Sequence, residues 1–123
     1  MSINDLTGTV IGLAIEVHKI LGPGLLENAY KQCLAYELKH HNILFSMEKE
    51  MPINYKDYVI DCGYRADFII ENQLIVVLKS VEKILPIYEA QILTYMKLAN
   101  IKTGLLINFN KKLLADGINR FVL

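Results

Sequence analysis

Between Tyr64 and Ser80, two apolar runs, Ala66–Ile70 and Leu74–Leu78, stand on either side of Asn72-Gln73. Runs of β-branched and aromatic residues interrupted by turn formers predict a β-hairpin. Side chains alternate along a strand, so Arg65, Asp67 and Ile69 are expected on one face, and Ile75, Val77 and Lys79 on one face of the next strand. Asp67 and Lys79 are then charges at the outer ends of otherwise apolar strands. In a register that brings them to one face they lie side by side, as an ion pair at a sheet end or as a reaction centre.

The remaining pattern is arranged around that hairpin. Ser2 to Leu21 is predicted as a helix, with Ser2 or Asn4 as cap and Leu6, Val10, Leu13, Ala14, Val17 and Leu21 as its apolar stripe. Such a stripe suits packing on the chain's own core or a homodimer interface. Gly22-Pro23-Gly24 stops this helix. A second helix is expected over Leu25–His40, with Leu26, Ala29, Tyr30, Cys33, Leu34 and Leu38 on its apolar face. Glu27 falls in its first turn, where the helix dipole favours a carboxylate, and Lys31 follows one turn later as its expected partner. His40 and His41 point about 100° apart on a helix and do not form a metal pair. His18 reads as a surface or hydrogen-bonded residue.

Ile43–Asn54 alternates as a first strand, with a solvated far end at Glu48-Lys49-Glu50 and an interruption at Pro52. After a turn at Tyr55–Tyr58, a strand is expected over Val59–Ile70, with a bend at Gly63. Pro86 suits the start of a third helix ending at Asn100, on which Gln91 and Tyr95 share a face. Thr103–Phe109 is continuously apolar, as in a central strand. Leu113–Leu123 is expected to form one helical turn and then a strand over Ile118–Val122. The order of elements implies a mixed sheet flanked by helices, an α/β fold, in one domain spanning residues 1–123.

Composition narrows the function. Thirteen Lys and Arg balance thirteen Asp and Glu, which argues against a protein that coats nucleic acid by net charge. No apolar run approaches the roughly 20 residues of a membrane span, and the N-terminus lacks the pattern of a signal peptide. Cys33 and Cys62 have no neighbours at metal-ligand spacing. They are expected to be buried thiols in a reducing cytoplasm.

Several motifs in order resemble a known family. Gly24-Leu25-Leu26-Glu27-Asn28-Ala29-Tyr30 fits the signature of the GxxExxY proteins, which are placed in the PD-(D/E)XK nuclease superfamily. Glu16-Val17-His18-Lys19, Tyr64-Arg65-Ala66-Asp67, Glu89-Ala90-Gln91 with Tyr95, and Gly104–Phe109 extend the resemblance over nearly the whole chain. It implies a helix–three-strand–helix–strand core, with the first helix an addition. It also implies metal-dependent hydrolysis of a nucleic-acid phosphodiester, with Mg²⁺ as cofactor. Asp67 would bind the metal, and Glu27 would be an auxiliary metal or water ligand. Lys79 would orient or activate the water, and Gln91 and Tyr95 would position the substrate or the lysine.

The departure lies at Val76-Val77-Leu78-Lys79, where the family motif is Glu-x-Lys. Val77 stands in the glutamate position and cannot bind a hard cation, which weakens any Mg²⁺ site. Glu71, Glu82 and Glu16 are other carboxylates, and spacing singles out none of them as a replacement. Two functions follow from the resemblance. One is a nuclease with a degenerate site. The other is an inactive nuclease fold serving as a nucleic-acid- or protein-binding module.

Overall fold

The computed structural model describes residues 1–123. Helix α1 spans Ile3–Leu21, and Ser2 caps it by accepting a hydrogen bond from the Asp5 N–H at 3.1 Å. Leu6, Val10, Leu13, Ala14 and Val17 are buried in the chain's own core. The apolar stripe is therefore covered from within the chain, and it supplies no argument for a dimer. Helix α2 spans Glu27–His40, beginning two residues later than expected and without a side-chain cap. Tyr30, Leu34 and Leu38 are fully buried, whereas Leu26 lies outside the helix and is exposed.

The expected first strand is broken. Only β1, Phe45–Met47, joins the main sheet. At Glu48 the backbone turns left-handed, with φ of 56°. Ile53–Tyr55 (β2) and Tyr58–Ile60 (β3) form a separate two-stranded hairpin. Its turn residues, Lys56 and Asp57, both have positive φ, as a tight two-residue hairpin requires. The strand expected over Val59–Ile70 is likewise divided: β4 is only Phe68–Ile70. Gly63, with φ of 73°, lies in the irregular connection. Two breaks thus lift β2–β3 out of the sheet as an insertion.

Strand β4 pairs antiparallel with β5, Leu74–Lys79, and Ile70 opposes Leu74. The loop is Glu71–Gln73, one residue longer than expected, with Glu71 and Asn72 in left-handed conformation. Helix α3, Pro86–Ala99, starts with proline in its first turn and ends at left-handed Asn100. It carries the chain to β6, Thr103–Asn108, which runs parallel to β5 and is buried throughout. A 3₁₀ turn at Leu114–Gly117 leads into β7, Ile118–Val122, at the sheet edge. The sheet order is β1-β4-β5-β6-β7. Within it, α2, β1, β4, β5, α3 and β6 follow in the expected core order.

Side-chain alternation along β5 divides the apolar residues into two layers. Val76 and Leu78 pack toward α1 and α2 with Phe68, Ile70, Leu105, Ile107 and Phe109. Ile75 and Val77 pack toward α3 with Ile69, Ile92, Tyr95, Met96 and Leu106. The sheet is thus covered on both faces, as the unbroken apolar run of β6 requires. Neither cysteine is a buried thiol: Cys33 is half-buried and Cys62 is exposed.

Candidate functional site

The site lies where β4 and β5 meet the N-terminal end of α2. Continuing the β4–β5 register one residue beyond Phe68 and Val76 places Asp67 opposite Val77. Asp67 itself sits at a bend outside the ladder. Alternation fails there, because Ala66 and Ile69 both pack into the α3 layer. Arg65, Asp67 and Ile69 therefore do not share a face. Asp67 instead meets α2, and Arg65 pairs with Glu50 at 2.7 Å on the surface.

Both carboxylate oxygens of Asp67 are engaged. Oδ2 accepts a hydrogen bond from the Leu78 N–H at 2.7 Å. Oδ1 lies 2.9 Å from Nζ of Lys31, and the same ammonium lies 2.8 Å from Oε1 of Glu48. Lys31 is only 8% exposed. Burial alone would pull its pKa down. The hydrogen bonds to Asp67 and Glu48 more than offset this and hold it above the ordinary lysine value. The same hydrogen bond holds the Glu48 carboxyl below its usual range. The Glu48 N–H donates to the Asp67 carbonyl at 3.1 Å, so the left-handed turn at Glu48 is tied into this cluster.

Glu27 is positioned by the residues of the glycine-rich turn. The Tyr30 hydroxyl donates to the Gly22 carbonyl at 2.6 Å and accepts from the Leu25 N–H at 3.1 Å. Its ring stacks on Phe109, with centroids 4.4 Å apart. Ser80 Oγ donates to the Leu25 carbonyl at 2.6 Å, fastening the turn to the end of β5. Glu27 then opens α2 beside Asp67 and Lys79. Burial pushes its carboxyl pKa up, as does the charge of Asp67, against the opposing pull of Lys79 and Lys31.

Lys79 is half-buried at the end of β5, and its ammonium lies 4.5 Å from the centroid of the Tyr88 ring on α3. Buried Asn108 braces the segment after it: Oδ1 accepts from the Val81 N–H and Nδ2 donates to the Val81 carbonyl. Tyr95 is buried, and its hydroxyl pKa is raised by that burial, by Asp67 and by Tyr64. Gln91 and Tyr95 line a cleft of about 390 Å³ with Tyr64 and Ile53. The fold thus brings Asp67, Glu27, Lys79 and Tyr95 to one end of the sheet, with Gln91 facing the neighbouring cleft. Glu71 lies at the opposite end of the hairpin, where it accepts from the Leu44 N–H, and does not replace the missing glutamate.

The sequence reading missed Lys31 and Glu48. Lys31 was assigned to Glu27 by its four-residue spacing. Its position three and seven residues before Leu34 and Leu38 puts it on the buried face of α2, and that was the available signal. Glu48 carried no comparable signal.

A divalent ion such as Mg²⁺ needs near-octahedral oxygen ligands at about 2.0–2.1 Å. Asp67 has Lys31 on one oxygen and a backbone N–H on the other, and Val77 offers no donor. No group of three or more His, Cys, Asp or Glu side chains is placed to hold a metal ion. The residues present do not fit the ion that the fold family uses.

The sequence profile of the PD-(D/E)XK nuclease superfamily matches residues 4–121. With the mixed sheet and the flanking helices, this shows that the chain belongs to the PD-(D/E)XK nuclease superfamily. No curated protein and no solved structure matched the chain. No helix is long and apolar enough to cross a membrane.

Proposed function

We propose that this chain is a PD-(D/E)XK domain that binds nucleic acid by its phosphate backbone without metal-dependent hydrolysis. One observation carries the reading: the Lys31 ammonium lies between Asp67 and Glu48 while Val77 faces the α3 core. Phosphodiester hydrolysis in this superfamily depends on an ion that polarises the phosphate and lowers the pKa of a bound water. An ammonium donates hydrogen bonds but has no vacant coordination position, so it cannot supply that activation.

Binding asks for less. Lys79 carries its charge at the sheet end against Tyr88 rather than in a carboxylate pair. It is suited to a phosphate oxygen, and exposed Lys83 and the Gln91 amide lie on the following segment and on α3, respectively. No base-reading motif accompanies them, so the contacts expected are to the backbone and independent of sequence. The balanced net charge predicts weak association, with dissociation constants of roughly 10⁻⁴–10⁻⁶ M at physiological salt.

The second reading is a conditional Mg²⁺-dependent nuclease. It is supported by the convergence of Asp67, Glu27 and Lys79 despite Val77. Fluorescence anisotropy and gel assays on labelled single- and double-stranded DNA and RNA, in EDTA and in Mg²⁺, separate the two. Metal-independent binding without cleavage supports the binding module. Cleavage in Mg²⁺ that Lys79→Ala abolishes supports the nuclease. Neither binding nor cleavage rejects both.

A further inference from the structure

We propose that Lys31 is a resident cation occupying a latent divalent-metal position, in which Asp67 and Glu48 would be oxygen ligands and Glu27 lies alongside. The inference concerns the protein without nucleic acid and holds whether or not the domain binds one.

Three observations place a cation there. The Lys31 ammonium is within hydrogen-bonding distance of two carboxylates from separate segments, at 2.9 Å from Asp67 and 2.8 Å from Glu48. It is held on the buried face of α2, where an unpaired ammonium would be costly. The backbone at Glu48 adopts a left-handed conformation that side chains other than glycine and asparagine rarely take, and this brings a second carboxylate to the ammonium. Carboxylates gathered in this way repel one another unless a positive charge stands between them. Here the chain itself supplies that charge from α2.

Val77 offers no charge at β5, and Lys31 supplies one positive charge between Asp67 and Glu48. Asp67 and Glu48 then share one ammonium without an external ion. Restoring Val77→Glu alone should not restore metal binding, because the Lys31 ammonium still holds Asp67 and Glu48. Removing the ammonium is the necessary step.

The test compares thermal unfolding of the intact chain in EDTA and in millimolar MnCl₂ or MgCl₂. The unaltered chain should melt at the same temperature in each. Lys31→Met, which keeps most of the apolar stem, should melt lower in EDTA and recover stability when Mn²⁺ is added. Lys31→Met with Asp67→Asn should lose that recovery. Titration calorimetry should give Lys31→Met an affinity for Mn²⁺ on the order of tenfold or more above the unaltered chain. An equal melting temperature of Lys31→Met and the unaltered chain in EDTA would overturn the inference, as would absence of rescue. The unaltered chain supplies a measurement that depends on no variant folding: Mn²⁺ binding to it that Asp67→Asn removes would show the position open to metal and would also overturn the inference.

Discussion

Oδ1 of Asp67 lies 2.9 Å from Nζ of Lys31, joining the start of β4 to the buried face of α2. This pair replaces the Asp67–Lys79 neighbour relationship that alternation along the strands predicts. Its side chains are 13% and 10% exposed. Removing Asp67 leaves the Lys31 ammonium with Glu48 as its remaining carboxylate and the Leu78 N–H without its acceptor, at a cost of about 1–3 kcal/mol. Asp67→Ala should therefore lower stability by about that amount, measured as a fall in the urea midpoint. Asp67→Asn, which can still accept from the Leu78 N–H, should retain about 1 kcal/mol more than Asp67→Ala.

The glutamate and tyrosine of the glycine-rich signature have separable roles. Tyr30 is fully buried and fixes the turn through two hydrogen bonds. Tyr30→Phe keeps the stacking on Phe109 but leaves the Gly22 carbonyl and Leu25 N–H without this partner. A loss of about 1–3 kcal/mol is expected by chemical denaturation. Glu27→Gln should leave the turn intact.

The pH dependence of Glu27 has the sign of a raised carboxyl pKa. The folded chain holds this proton more tightly than the unfolded one. Its stabilising contribution is present below the ordinary 4.5 and is lost as pH rises through the folded value. Glu27→Gln should gain stability relative to the parent as pH rises above 4.5 toward neutrality. Glu48 has the opposite sign, because Lys31 holds its carboxyl low. Its contribution is present above 4.5 and is lost as pH falls through the folded value, so Glu48→Gln should converge with the parent in acid. Urea midpoints between about pH 3 and about pH 8 check both signs.

Two glycines test the packing around β6. A Cβ at Gly104 would lie 2.7 Å from Met96 Sδ, near the end of a flexible side chain that can shift. A Cβ at Gly117 would collide with the Asn108 carbonyl oxygen, which is backbone. Gly104→Ala should cost about 1 kcal/mol and Gly117→Ala about 3 kcal/mol, read from thermal unfolding.

The sequence made the helices and the central strands legible because their signals are local and repeated. Ser2, Pro86 and Asn100 mark helix ends, and the apolar run of β6 is buried on both faces. The strand expected over Ile43–Asn54 was misjudged because alternation continues through Glu48, while the backbone there turns left-handed. The motif resemblance names Asp67, Glu27, Lys79 and Tyr95 as candidates, and the fold places them at one end of the sheet. Lys31 escaped because its partners, Glu48 and Asp67, are 17 and 36 residues away in the chain. Spacing along one helix could not reveal them, although the lysine's place on an apolar stripe could have prompted the search.

The most direct test of the central claim is anisotropy of a labelled oligonucleotide with the intact chain, in EDTA and again in Mg²⁺, followed by a gel for cleavage. The account predicts equal affinity in both, an uncut oligonucleotide, and weaker binding by Lys79→Ala with the salt slope reduced by about 1. Cleavage that requires Mg²⁺ and disappears in Asp67→Asn would contradict it.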